Sequence, residues 1–434
     1  MSSTSEDFNE VLNKSKKILE KYALCDSCLG RLFANLGYGL SNADRGKAIK
    51  TLLLFKAYNS LRGITDENLA KNLARTGFKP ALTLLQAKEI SVKTVTCNLC
   101  RGLMERIGEI AKKTISALKD YEFDTFLVGA TLSQYLAEKE EEIWRQYKIN
   151  TGEMIKSELT REIGKQIEKH MCKKYAPQKP DITIIININD SDKVNVDINP
   201  APIFIYGKYR KLKRGIPQTP FKDDSTQTSI QTLIADPIVS AAKARGAKFH
   251  AAGREDVDVL TLGSGRPFIV EVQGPRKRTL NLKEIEEEIN RNARGIVEVH
   301  GLRYVSRSMV AKIKALAEFA KKTYKAIVEF DEEVTDEDAK KIEENFKNIE
   351  IKQRTPTRVL HRRVDKVRTK IVYWIKAEKT GPQQLTLTIK CQGGLYVKEL
   401  IHGDHGRTKP NISELIGKKV KTIILDVIDI EEKT

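Results

Sequence analysis

Two near-copies of one short pattern, CDSCLG at 25–30 and CNLCRG at 97–102, constrain this chain more than anything else in it. In each, a pair of cysteines encloses two residues and a glycine follows shortly after. Such a turn lets both thiolates face one ion, and the glycine permits a tight backbone bend. Cys25, Cys28, Cys97 and Cys100 together supply the four ligands of a tetrahedral structural zinc. The 68 residues between the pairs exceed zinc-ribbon spacing, so the fold itself has to bring the ligands together. A redox dithiol is the competing reading. A closed four-thiolate site leaves no open position, so its role is structural rather than catalytic. Cys172 closes an apolar helix stripe and Cys391 lies in a strand-like run, so both read as small core residues.

The pattern around these cysteines is mainly helical. KAIKTLLLFKAYNSLRG and RIGEIAKKTISALKDY carry apolar residues at helical spacing. Near residue 122 the texture changes: YEFDTFLVGA reads as a strand, and a helix over about 153–173 carries Ile155, Leu159, Ile163, Ile167 and Met171 on one face. DITIIININ and KVNVDIN flank a turn-rich DSD, and PIFIYGKYRKLKRG adds a third strand. Beyond 223, helices are expected at 228–244, 282–294, 308–322 and 336–347, with strands at 267–273, 324–330, 367–378, 384–391 and 421–430. The expectation is a multidomain α+β protein: a helical cysteine region at 1–104, a compact α+β module at 105–222, and a third domain at 223–434 with a mixed, largely antiparallel sheet.

A formal charge of +18 over 434 residues argues for a polyanionic partner, most simply nucleic acid. No apolar run is long enough to cross a bilayer, and MSSTSEDFNE lacks the basic start and apolar core of a signal peptide. A cytoplasmic protein without a membrane partner is expected. Between Ala201 and Lys222, Lys208, Arg210, Lys211, Lys213, Arg214 and Lys222 occur without one acid, interleaved with Tyr206 and Tyr209. Cations hold phosphates and tyrosines stack on unpaired bases, which favours an RNA surface over a merely solvated basic face. The stretch 352–370 holds eight Lys or Arg, with Arg358, Arg362 and Arg363 among them, against one Asp, and reads as a loop along a phosphate backbone.

Against this background, GREDVDV at 253–259 places Glu255, Asp256 and Asp258 within four residues. In an extended segment Val257 and Val259 would point one way and the two aspartates the other. Taken alone, the acids fit a metal site, partners for arginines, or a solvated loop.

GREDVDV followed by GSGRPFIVEV resembles the active-site region of pseudouridine synthases, specifically the archaeal-type family acting on the T arm of tRNA. Four further stretches are similar to that family in its order: CDSCLGR with CNLCRG, IYGKYRKLKRGIPQT at the end of a THUMP-containing RNA-binding module, KQRTPTRVLHRRVDKVR, and GGLYVKELIHGDHGRTKPNISEL. The resemblance covers nearly the whole chain. It implies an isomerase that turns uridine into pseudouridine at tRNA positions 54 and/or 55, a structural zinc, and no redox or nucleotide cofactor. It implies Asp256 as nucleophile, Arg254 two residues before it, Tyr324 against the base, Lys398 as the cation paired with the aspartate, and Leu400 as an apolar wall. Leu260 stands where the family usually carries a basic residue. A monomer binding tRNA is expected; a non-catalytic tRNA-binding protein on the same scaffold is the rival.

Overall fold

The computed structural model describes residues 8–220 and 228–431. The chain divides into two compact units, Met1–Ala201 and Pro202–Thr434. Lys222 lies outside the described residues.

In the first unit, a run of helices precedes a four-stranded sheet. Phe8–Lys21, Asn42–Ala57 and Ile107–Leu118 are the longest of these helices. The sheet runs Lys174–Tyr175, Thr125–Thr131, Ile182–Ile188, Val194–Pro200. Strict alternation in ITIIINI puts Ile182, Ile184, Ile186 and Ile188 inward, where the helix Ile155–Met171 is present to cover them with Ile155, Leu159, Ile163 and Ile167. One core runs from Val11 to Val194, so the cysteine region and the α+β module share their interior rather than parting at 104/105. Cys172 is a correction to the sequence reading: it caps that helix with φ +54° and is exposed, because the backbone has turned out of the helical face before its side chain is placed. Cys391 is fully buried, as expected.

The second unit is built on a ten-stranded sheet. Its path is Val297–Val305, Ile203–Lys211, Leu260–Gln273, Val420–Ile430, Lys321–Phe330, Gln384–Gln392, Val367–Gly381, Ile349–Arg354, Thr408–Lys409, with Gly246–Ala251 added beside Leu260–Gln273. Every pairing is antiparallel except the one that joins Asp426 and Val427 to Leu260 and Thr261. The mixed, largely antiparallel sheet is thus the expected one. The domain boundary differs from the expectation. Ile203–Lys211 is not the last strand of the first unit but an interior strand of the second, so the break falls at 201/202 instead of 222/223.

That placement also changes what its side chains do. Its residues are buried on both faces along most of its length. Ile205 and Tyr209 point into one core, and Phe204 and Tyr206 into another. The short strands Gly246–Ala251 and Ile349–Arg354, and the longer Val297–Val305, add to the sheet where the sequence pattern gave no clear alternation.

Candidate active site

The acid-rich turn follows the strand Gly246–Ala251, and its three carboxylates take three different environments. The segment is not extended. The Val259 N–H donates to the Asp256 carbonyl at 3.1 Å, closing a turn that buries Val259 and leaves Val257 exposed. The expected common face of Val257 and Val259 is therefore absent. Gly253 takes φ +88°, in the left-handed region open to glycine.

Glu255 is buried. Its two oxygens each lie 2.9 Å from the Tyr209 hydroxyl, and Arg266 Nε stands 2.9 Å from Oε2. Gln218 donates to the Tyr209 hydroxyl at 2.9 Å and to the Gly253 carbonyl at 3.0 Å. Lys211, also buried, donates to the Val257 carbonyl at 2.7 Å and the Asp256 carbonyl at 3.2 Å. These groups hold the turn from beneath. Tyr209 and Lys211, expected on an RNA surface, cannot reach one. Arg214 is likewise committed, pairing with Asp426 at 2.7 Å. Arg210 donates to the Gly263 carbonyl at 2.7 Å, while Lys213 is exposed.

Asp256 faces a cleft of about 330 Å³. The Arg358 guanidinium meets its carboxylate at 2.9 and 3.0 Å, and Lys398 Nζ stands 3.8 Å away. Arg358 is itself aimed by Glu399, whose buried carboxylate takes Nε at 2.7 Å. Arg358 was expected on phosphates; its guanidinium instead forms the closest cationic contact to Asp256. Lys398 makes its shorter pair with Asp258, at 2.7 Å. Partial burial opposes ionisation of Asp258, but the Lys398 bond outweighs it and holds the carboxyl below the usual range.

Tyr324, Arg254 and Arg363 line the same cleft. Tyr324 sits on the strand Lys321–Phe330 with Ile389 and Val427 as its cross-strand neighbours. Burial pushes its hydroxyl well above the ordinary tyrosine value, so it is neutral near pH 7. The apolar lining comes from Val259, Val359, Leu395, Val397, Leu425 and Val427. Leu400 is not among them. It lies two residues beyond Lys398 on the helix Val397–His402, roughly 200° around the helix axis, and is fully buried in the core. The sequence reading missed Leu425, and the strand spacing that sets it two residues before Val427 is the signal for that face. Of Arg362 only the backbone is described.

The first unit holds the second candidate site. The sulfurs of Cys25, Cys28, Cys97 and Cys100 all lie within 4.8 Å of one another, and all four residues are buried. Cys25 and Cys100 Sγ are 3.7 Å apart. A tetrahedron with metal–sulfur bonds of 2.3 Å has edges of about 3.8 Å, so the donor set fits one ion. Arg31 Nη1 donates to Cys28 Sγ at 3.2 Å from a fully buried position, offsetting thiolate charge. These residues can hold a metal.

The family model described as Pus10, C-terminal, matches residues 204–431, and that described as Pus10 THUMP domain, archaeal, matches residues 110–187. A tRNA pseudouridine synthase Pus10 from Thermofilum pendens is 46% identical over 430 residues, covering 97% of this chain and 96% of the relative. One from Pyrococcus furiosus is 41% identical over 423 residues, covering 97% and 98%. Among solved structures, a Cbf5-Nop10-Gar1 complex overlaps 51% of this chain and 48% of its own at 17% identity and a TM-score of 0.31. The chain belongs to the Pus10 family of tRNA pseudouridine synthases. It is an isomerase.

Proposed function

We propose that this enzyme converts uridine to pseudouridine in the T arm of tRNA, at positions 54 and/or 55, with Asp256 as nucleophile and no redox, nucleotide or catalytic metal cofactor. The observation that carries this reading is the Asp256 carboxylate, fixed by Arg358 at 2.9 Å beside a cleft it shares with Tyr324. The ion pair fixes the position of the carboxylate that serves as nucleophile. In the isomerisation the bond from uracil N1 to the ribose breaks and a bond from C5 to the same carbon forms. The C5 proton leaves and N1 gains one, so no electrons are exchanged. Asp256 attacks the ribose carbon as N1 leaves, C5 then displaces the carboxylate from that carbon, and Tyr324 stacks against the turning base. Its neutral hydroxyl can hold or pass a proton. The target uridine has to leave the RNA stack to reach the cleft, and the exposed Arg254 fills the gap or holds the neighbouring phosphate. Lys208, Arg210, Lys213 and Arg363 contribute to the RNA face, and the protein works as a cytoplasmic monomer. The four cysteines hold one structural zinc.

The test uses an unmodified tRNA transcript, the purified protein and no added cofactor. Carbodiimide mapping of the T arm should give new pseudouridine signal with wild type and none with Asp256→Asn. Equal signal from both proteins would refute the nucleophile. Signal lost when a chelator is added to zinc-loaded protein of unchanged metal content would refute the cofactor-free reading.

A further inference from the structure

A second cleft, also of about 330 Å³, adjoins the first and shares Arg254, Tyr324, Arg363, Leu395 and Tyr396 with it. Both are rich in cations. The first sets Arg254, Arg266, Arg358, Arg363 and Lys398 against Asp256 and Glu255, whose carboxylates pair with Arg358, Lys398 and Arg266. The second is lined by Arg254, Lys322, Arg363, Arg368 and Lys370, with Glu318 as its one acid. Glu318 is 64% exposed at its side chain and reaches Lys370 only at 3.8 Å. It cannot neutralise five cations.

Lys322 is the telling member. Its residue is 4% exposed, and among the described residues it forms no ion pair. Its ammonium donates to the Ala252 carbonyl at 3.3 Å. Buried cations are ordinarily paired, so an unpaired one lining a cleft calls for an anion from outside. Gly253 packs close against the ammonium: a Cβ there would stand 2.8 Å from Lys322 Nζ. The groups facing Lys322 are Arg266, Glu255, Cys391 and Lys370; burial foremost, then Arg266, lowers its value to about 7. An arriving anion would restore the proton.

We propose that this second cleft is a subsite for an RNA phosphodiester flanking the target uridine, with Lys322 and Lys370 as its inner cations. The inference rests on the reading that Asp256 acts on an RNA uridine in the adjoining cleft. The strand places Lys322 and Tyr324 on one face, two residues apart, so a base held at Tyr324 sets its own backbone beside Lys322. Arg254 and Arg363 line both clefts and bridge the two.

The test is a binding cycle with full-length protein carrying Asp256→Asn, so that turnover does not intrude. The probes are T-arm stem-loop RNAs with a single neutral methylphosphonate linkage placed 5′ or 3′ of the target uridine. With Lys322 and Lys370 intact, one of the two linkages should weaken binding roughly tenfold. Adding Lys322→Met should abolish that linkage's effect and leave the other unchanged. Lys370→Gln repeats the measurement independently at the second inner cation. The linkage effect should also be larger at pH 6 than at pH 8.5. If both variants keep the full tenfold loss, or neither linkage matters, the subsite is refuted. Failure of the catalytic reading shows separately, as absence of pseudouridine with the Asp256 protein.

Discussion

Three neighbouring acids in one turn have three fates, and burial sorts them. Glu255 is 6% exposed and locked to Arg266 and Tyr209; Asp258 is exposed and paired with Lys398. Asp256 lies between, open to the cleft but held by Arg358. Glu255→Gln leaves Arg266 as an unpaired buried charge, and should cost about 3–5 kcal/mol in urea denaturation. Asp258→Asn breaks a pair whose carboxylate is 62% exposed, and should cost under about 1 kcal/mol. Equal losses would mean that burial does not decide their roles. At Tyr324, phenylalanine keeps the stacking ring and should lower turnover less than leucine; equal loss would assign the whole effect to the hydroxyl. Lys322 gives a pH signature. Its folded value near 7 lies below the ordinary 10.5, so the folded state disfavours the proton. The cost is full below pH 7 and fades as pH rises to 10.5. Lys322→Met should therefore stabilise the protein by as much as about 5 kcal/mol at pH 6 and by about 2 kcal/mol at pH 9. Thermal melts at both pH values check this, and a gain that grows with pH would contradict it.

At the scale of elements, what the sequence made legible was periodicity, and what it hid was coverage. The helix Ile155–Met171 and the strand Ile182–Ile188 were readable because one face is apolar and the pattern repeats. Ile203–Lys211 was readable as a strand but not as an interior one. Basic and aromatic residues mixed together resemble an RNA surface whether they face solvent or brace a turn from below. Leu400 failed for a related reason: a motif fixes which residues are near in sequence, not which side of a six-residue helix they occupy. Asp256, Lys398 and Tyr324, singled out in the sequence, line one cleft, whereas Arg358 was known only as a cation until the fold set Glu399 behind it. Tyr209→Phe tests the correction. It removes a buried hydroxyl from Glu255 and should destabilise by about 1–3 kcal/mol. It should leave tRNA affinity unchanged, measured by filter binding at fixed salt. A marked loss of affinity in a folded protein would return Tyr209 to the RNA face.

At the scale of the whole molecule, the two units have separate interiors. The first core contains residues from Val11 to Val194, and the remaining three contain residues from Ile203 to Ile430. Buried apolar surface is the main source of stability, so separate cores predict separate unfolding. The four-cysteine cluster belongs entirely to the first: Cys25 and Cys28 open one helix of that unit, while Cys97 and Cys100 lie in the turn before another. Metal binding to such a site contributes directly to folding, since the unfolded chain does not hold the four thiolates together. Cys97→Ser should lower bound zinc well below one per chain and shift a lower-melting transition downward by several degrees. The second transition should stay in place. Limited proteolysis of that variant should digest residues before 201 while a fragment close to 202–431 survives. A single transition that moves as a whole, or loss of both parts at one rate, would show that the metal stabilises the two cores as one.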